Sequence, residues 1–128
     1  MFKSSNKYND EIVSLILGKG MKIEAKLISG TGVVKIDGEY YGEIYVDGDL
    51  ILGKTGYING NINVKIAYIS GSVVGNVKCA DLLHITSTGK INGDIECEAI
   101  LIDEGGLFTG YSKMHDRNPD PLGGLLEE

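Results

Sequence analysis

The stretch Ile58-Asn59-Gly60-Asn61-Ile62-Asn63-Val64 decides the fold. Apolar side chains stand at every second position, with a glycine taking one of those places. Period-two alternation puts those side chains on one face of an extended strand. Moving outward, the same unit, apolar-x-Gly-x-apolar-x-apolar, returns as Tyr40-x-Gly42-x-Ile44-x-Val46, Val73-x-Gly75-x-Val77-x-Cys79 and Ile91-x-Gly93-x-Ile95-x-Cys97. A weaker copy, Phe108-x-Gly110-x-Ser112-x-Met114, closes the array, and Ile23-x-Ala25-x-Leu27 opens it with alanine in the glycine place. The anchors fall at 25, 42, 60, 75, 93 and 110, so their spacings are 17, 18, 15, 18 and 17.

A second apolar pair precedes each anchor: Leu15/Leu17, Val34/Ile36, Leu50/Leu52, Ala67/Ile69, Leu83/Ile85 and Ile100/Ile102. Five residues separate Leu52 from Ile58, Ile85 from Ile91 and Ile102 from Phe108; three separate Ile36 from Tyr40 and Ile69 from Val73. The 15-residue spacing is therefore a shortened corner. A unit of this length cannot bury its apolar face alone, whereas stacked units can, which is the logic of a solenoid. The pattern predicts an all-β, single-domain parallel β-helix of about six coils over residues 15–114. Residues 1–14 and 115–128 are expected to be disordered tails, the second acidic and interrupted by Pro119 and Pro121. Lys26, Glu43, Asn61, Asn76 and Asp94, just outside the core positions, predict a polar outer surface.

Composition narrows the function. The formal net charge is −6 with no cluster of Lys and Arg, a poor match for nucleic acid. No apolar run approaches the length of a membrane span. With two cysteines and no signal peptide, a reduced cytoplasmic setting is expected.

Gly48-Asp49-Leu50-Ile51-Leu52-Gly53-Lys54-Thr55 matches the phosphate-binding pattern G-x-x-x-x-G-K-[ST] letter for letter. That chemistry needs a loop of backbone N–H groups opening a helix. Here the repeat makes Leu50 to Leu52 a buried strand followed by another strand, so no nucleotide site is expected. His84 alternates outward between Leu83 and Ile85, and neither it nor His115 has a nucleophile or carboxylate pair at a recognisable spacing. A left-handed β-helix acyltransferase using such a histidine as general base would show strict six-residue repeats, which the spacings break. Cys79 and Cys97 hold the same repeat position in adjacent coils; they read as reduced core residues, since a metal site would lack its other ligands. Asp94, Glu96 and Glu98 alternate on one outward face, a solvated face in preference to a calcium site. The chain is expected to be no enzyme and to need no cofactor.

Three segments resemble the bactofilin family: Leu83 through Ile95, Leu101 through Gly110 with Met114, and Ile36 through Ile44. The resemblance implies a three-sided, right-handed parallel β-helix. It implies nucleotide-independent polymerisation through both helix ends into non-polar filaments. It also implies a bacterial cytoskeletal or scaffold role in cell shape, polarity or local scaffolding, often at the membrane. Implied partners are other copies of the chain, the inner-membrane lipid surface and cell-wall or morphogenesis proteins. Ala25 departs from the family glycine, so the first coil is expected to be less regular.

End coils of such a rod leave strand edges unpaired, and unpaired edges invite another chain. The candidate polymer interface is Phe108 at one end and Leu15, Ile16 and Leu17 at the other. Met1, Phe2, Lys3 and Lys7 form a candidate membrane-targeting segment, with a plain tail as the other reading. The alternative function is a non-polymerising β-helix adaptor that binds a partner protein through one face.

Overall fold

The computed structural model describes residues 13–114. They form strands and turns only: β1 (Val13–Leu17), β2 (Lys22–Ile36), β3 (Glu39–Leu52), β4 (Tyr57–Asn59), β5 (Ile62–Ile69), β6 (Ser72–Val74), β7 (Val77–Ile85), β8 (Lys90–Asn92), β9 (Ile95–Ile102), β10 (Leu107–Thr109) and β11 (Ser112–Met114). Every strand pair is parallel. The chain is a parallel β-solenoid with six stacked strand segments on each of three sides.

The first side is built from residues 22–24 and 39–41 with β4, β6, β8 and β10. On the second side Ile28, Ile44, Ile62, Val77, Ile95 and Ser112 stack in register. The third side carries Leu15/Leu17, Val34/Ile36, Leu50/Leu52, Ala67/Ile69, Leu83/Ile85 and Ile100/Ile102 in one column pair. These are the apolar positions read from the repeat, and between the two ends they are buried. At ~4.8 Å per coil the rod is about 28 Å long.

The glycine anchors stack through close backbone approach. Gly42, Gly60, Gly75, Gly93 and Gly110 all take positive φ, and a Cβ at each would collide with the carbonyl oxygen of the preceding anchor, Ala25 in the case of Gly42. Only glycine gives both the conformation and the clearance. Beside them an asparagine ladder climbs the rod. The Asn76 N–H donates to Asn61 Oδ1 (3.1 Å), the Asp94 N–H to Asn76 Oδ1 (3.0 Å) and the Tyr111 N–H to Asp94 Oδ1 (3.2 Å).

Long and short corners fall where the spacing predicts. The four-residue turns at 53–56, 86–89 and 103–106 are closed by N–H to carbonyl bonds from Gly56 to Gly53, Gly89 to Thr86 and Gly106 to Asp103. Where a long corner lies over a short one, a threonine hydroxyl ties them: Thr55 Oγ1 to the Asp37 carbonyl and Thr88 Oγ1 to the Ser70 carbonyl, each 2.7 Å.

The first coil differs from the sequence reading in one respect. The register slips between Glu24 and Leu27, so that Ala25 and Lys26 oppose Gly42 alone. Two residues against one is a β-bulge. Leu27 then turns outward, and Ile28 takes the inward place opposite Ile44. Alanine disfavours the positive φ that glycine adopts at this position in the next coils, and the strand takes in one residue instead.

Candidate functional site: the uncovered coil ends

At the C-terminal end the core columns run out while still apolar. Phe108 pairs with Ile91 on one side and nothing covers its other side among the described residues; its ring is half-buried against the core. Ile102 is 43% exposed where Ile85, one coil earlier in the same column, is 0%. Met114 is 50% exposed where Cys97 beneath it is 0%. Strands β10 and β11 each pair with one neighbour only among the described residues, leaving a line of unmatched backbone donors and acceptors. The asparagine ladder also stops here, at the exposed Tyr111.

At the N-terminal end the inward positions are Leu15 and Leu17 of β1 with Ile23 and Ile28 of β2. Leu15, Ile23 and Ile28 are partly buried against the core, and Leu17 is buried. Ile16 points away from the core, 62% exposed on the third side of the rod. Of the three N-terminal residues singled out from the sequence, Leu15 alone therefore offers a half-covered core side chain to the end. Sequence reasoning missed Ile102 and Met114 at one end and Ile23 and Ile28 at the other. The signal was present, because all four occupy core columns in the terminal coils. Met1, Phe2, Lys3 and Lys7 lie outside the described residues.

The two ends differ in shape and charge. Sides one and two finish one coil beyond side three at the C-terminal end, while β1 on side three begins one coil before them at the N-terminal end. The first coil carries Lys19, Lys22 and Lys26 against Glu24, and the last carries Asp103 and Glu104 against Lys113. Lys22 forms a 3.2 Å pair with Glu24, which with that charge raises its pKa, and its ammonium stands 5.2 Å from the centre of the Tyr41 ring.

The other sequence candidates fall where the repeat puts them. Gly48 to Leu52 belong to strand β3, with Leu50 and Leu52 fully buried, and the next element is strand β4. The Gly53 N–H donates to the Ile36 carbonyl at 2.8 Å. His84 Nε2 lies 3.1 Å from Asp103 Oδ1, with Tyr68 edge-on at 5.9 Å. Cys79 and Cys97 are free, buried and in register. Burial pushes both thiols up, Cys79 to about 12 with the neighbouring Cys97 adding to the effect. Among the described residues no cluster of His, Cys, Asp and Glu is placed to hold a metal ion. Tyr40, the one fully buried aromatic among the described residues, donates its hydroxyl to the Glu43 carbonyl at 2.7 Å. No helix of the described residues is long and apolar enough to cross a membrane. A groove of about 700 Å³ on side two has walls of mixed charge, among them Lys78, Glu96 and Lys113.

The stacked parallel coils place the chain in the class of β-solenoid proteins, and its apolar core columns reach the terminal coils of the described residues. The bactofilin family model, described as polymer-forming cytoskeletal, matches residues 15–113. The chain belongs to the bactofilin family. It is 29% identical over 114 residues to bactofilin BacP of Myxococcus xanthus, covering 89% of this chain and 47% of that protein. It is 27% identical over 103 residues to bactofilin BacO of the same organism, covering 80% of this chain and 81% of that one. It thus spans about half the length of BacP. No solved structure matches the chain significantly.

Proposed function

We propose that the chain polymerises end to end, without nucleotide, into cytoskeletal filaments that serve bacterial cell shape, polarity or local scaffolding. The observation that carries this reading is the exposure of core columns at the terminal coil, Ile102, Phe108 and Met114, beside strand edges that are unpaired among the described residues. Each would be covered by one further coil, and a second copy supplies one. The family resemblance supports non-polar order, each end meeting its like across a two-fold axis. Sedimentation and negative-stain microscopy of the purified chain without nucleotide test the assembly. A single small species at every concentration would favour the adaptor reading instead.

A specific observation favours a second order. The step at the C-terminal end is the complement of the step at the N-terminal end, and the end charges are opposite. A head-to-tail join would seat β1 of one copy directly over residues 99–102 of the next, continuing the solenoid. One cysteine placed at Thr109 in a Cys79→Ala/Cys97→Ala background separates the two. Non-polar order gives disulfide-linked pairs from this single site, and head-to-tail order requires a second cysteine at the N-terminal end.

The Met1-Phe2-Lys3 and Lys7 segment is proposed to hold the polymer at a lipid surface. One aromatic side chain binds weakly, and polymer avidity multiplies it. Deleting residues 1–10 should leave filaments intact and reduce co-sedimentation with liposomes. Equal co-sedimentation with and without the segment would contradict this.

A further inference from the structure

On sides one and two the outward positions are mostly polar, as the sequence predicts. Side three is different. Its outward column reads Ile16, Lys35, Ile51, Tyr68, His84 and Leu101 in consecutive coils. Ile16, Tyr68 and Leu101 are 62%, 37% and 49% exposed. Ile66 and Leu82, two positions earlier in their strands, add partly exposed apolar surface beside them. These strands are apolar on both faces, as in Leu50-Ile51-Leu52 and Leu82-Leu83-His84-Ile85. A parallel strand apolar on both faces is ordinarily covered on both. The two basic side chains in the column are already partnered: Lys35 Nζ with Asp37 Oδ2 at 2.9 Å and His84 Nε2 with Asp103 Oδ1 at 3.1 Å.

We infer that side three is the lateral docking face of the filament, and that its occupant is the same face of a second copy running in the opposite direction. The inference rests on the polymer reading above. Two-fold pairing about an axis along the strands sets coil one against coil six, two against five and three against four. Ile16 then meets Leu101, Ile51 meets Tyr68, and the Lys35–Asp37 pair meets the His84–Asp103 pair. The four apolar or aromatic residues of the column meet one another, and the two basic residues, each paired with its own aspartate, meet at the remaining places. Asp37, Asp49 and Asp103 around the face oppose an anionic lipid surface. Area also points to a polymer partner. Six strands at ~4.8 Å and four residues at ~3.3 Å give roughly 370 Å² per copy. A stable pair of isolated proteins buries about 800 Å² per partner. One rod pair is therefore too small to hold, whereas filaments repeat the contact at every subunit.

The test compares full-length wild type with Leu101→Lys, and with Leu101→Lys combined with Ile16→Glu. Sedimentation reports assembly and negative-stain microscopy reports filament width. Wild type should form paired or bundled filaments. Leu101→Lys should sediment as filaments of single width, with a circular-dichroism melt like wild type. Adding Ile16→Glu, which lies opposite Leu101 in the antiparallel arrangement, should restore the double width; were the two positions instead stacked at a head-to-tail joint, Leu101→Lys would lower the amount of sedimented polymer and leave its width unchanged, which would overturn the inference. Leu101→Lys filaments as wide as wild type, or no restoration by Ile16→Glu, would overturn the inference. So would single wild-type filaments that bind phosphatidylcholine vesicles through Leu101, which would assign the face to lipid. Absence of any wild-type filament would instead refute the polymer reading beneath it.

Discussion

Gly60 sits directly against the carbonyl oxygen of Gly42, one coil earlier, with no room for a Cβ between them. Its φ of +155° is one that side chains rarely adopt. The next anchor, Gly75, repeats the contact on Gly60. Coil stacking on this side thus depends on an unbroken file of glycines.

Gly60→Ala should therefore destabilise the rod by about 3 kcal/mol or more, combining backbone strain with a displaced neighbouring coil. Gly18→Ala is the control, because a Cβ there meets nothing within 4 Å and should change stability by no more than about 0.5 kcal/mol. Urea melts of both variants followed by circular dichroism check the difference. Equal midpoints would show that the glycine file does not set the stacking.

Substitutions in the apparent phosphate loop should act on stability alone. Thr55→Ala removes the 2.7 Å bond to the Asp37 carbonyl and should cost about 1 kcal/mol. Lys54 is exposed and Lys54→Ala should be close to neutral. Neither should change assembly, and calorimetry should detect no ATP or GTP binding. Micromolar binding that Lys54→Ala abolishes would contradict the strand assignment.

Much of this was legible because the repeat writes the same column several times. Tyr40, Ile58, Val73, Ile91 and Phe108 stack as the spacing requires, and the short corners at 37–39 and 70–72 were visible as missing residues. The bulge in the first coil was not placed, since Leu27 and Ile28 are both apolar and only the backbone's response to Ala25 chooses between them. The apolar outside of side three was also missed. Alternation identifies an inward set, and a strand apolar at every position hides the outward set within the same run. At the ends, Phe108 stood out as an aromatic in a column of aliphatics and tyrosine, whereas Ile102 and Met114 looked like ordinary core until the last coil was located.

Alkaline pH should loosen the rod. The Cys79 thiol is held up to about 12 by burial, with Cys97 beside it. An unfolded thiol ionises near pH 8.5. Between those values the unfolded chain has lost a proton that the folded chain keeps, so stability is complete below about pH 8.5 and falls as pH rises toward 12. The slope is about 1.4 kcal/mol per pH unit for this one group. Cys97 and Tyr40, also raised by burial, act with the same sign. Cys79→Val, matching Val64 in the same column, should keep the neutral-pH melting temperature and flatten the alkaline loss. Melts from pH 8 to 11 with identical slopes for both proteins would contradict the assignment.

The central claim is that the coil ends join copies of the chain, and Phe108→Arg tests it most directly. Phe108 is the last aromatic of its column, and covering the exposed half of its ring contributes roughly 1 kcal/mol to each chain at the contact. Arginine removes that term and, at a two-fold contact, opposes two like charges. Light scattering on the folded variant should find a soluble dimer joined through the intact N-terminal ends; head-to-tail order would give a monomer. Polymers of wild-type length from Phe108→Arg would show that Phe108 is a core residue only and that the ends do not carry assembly.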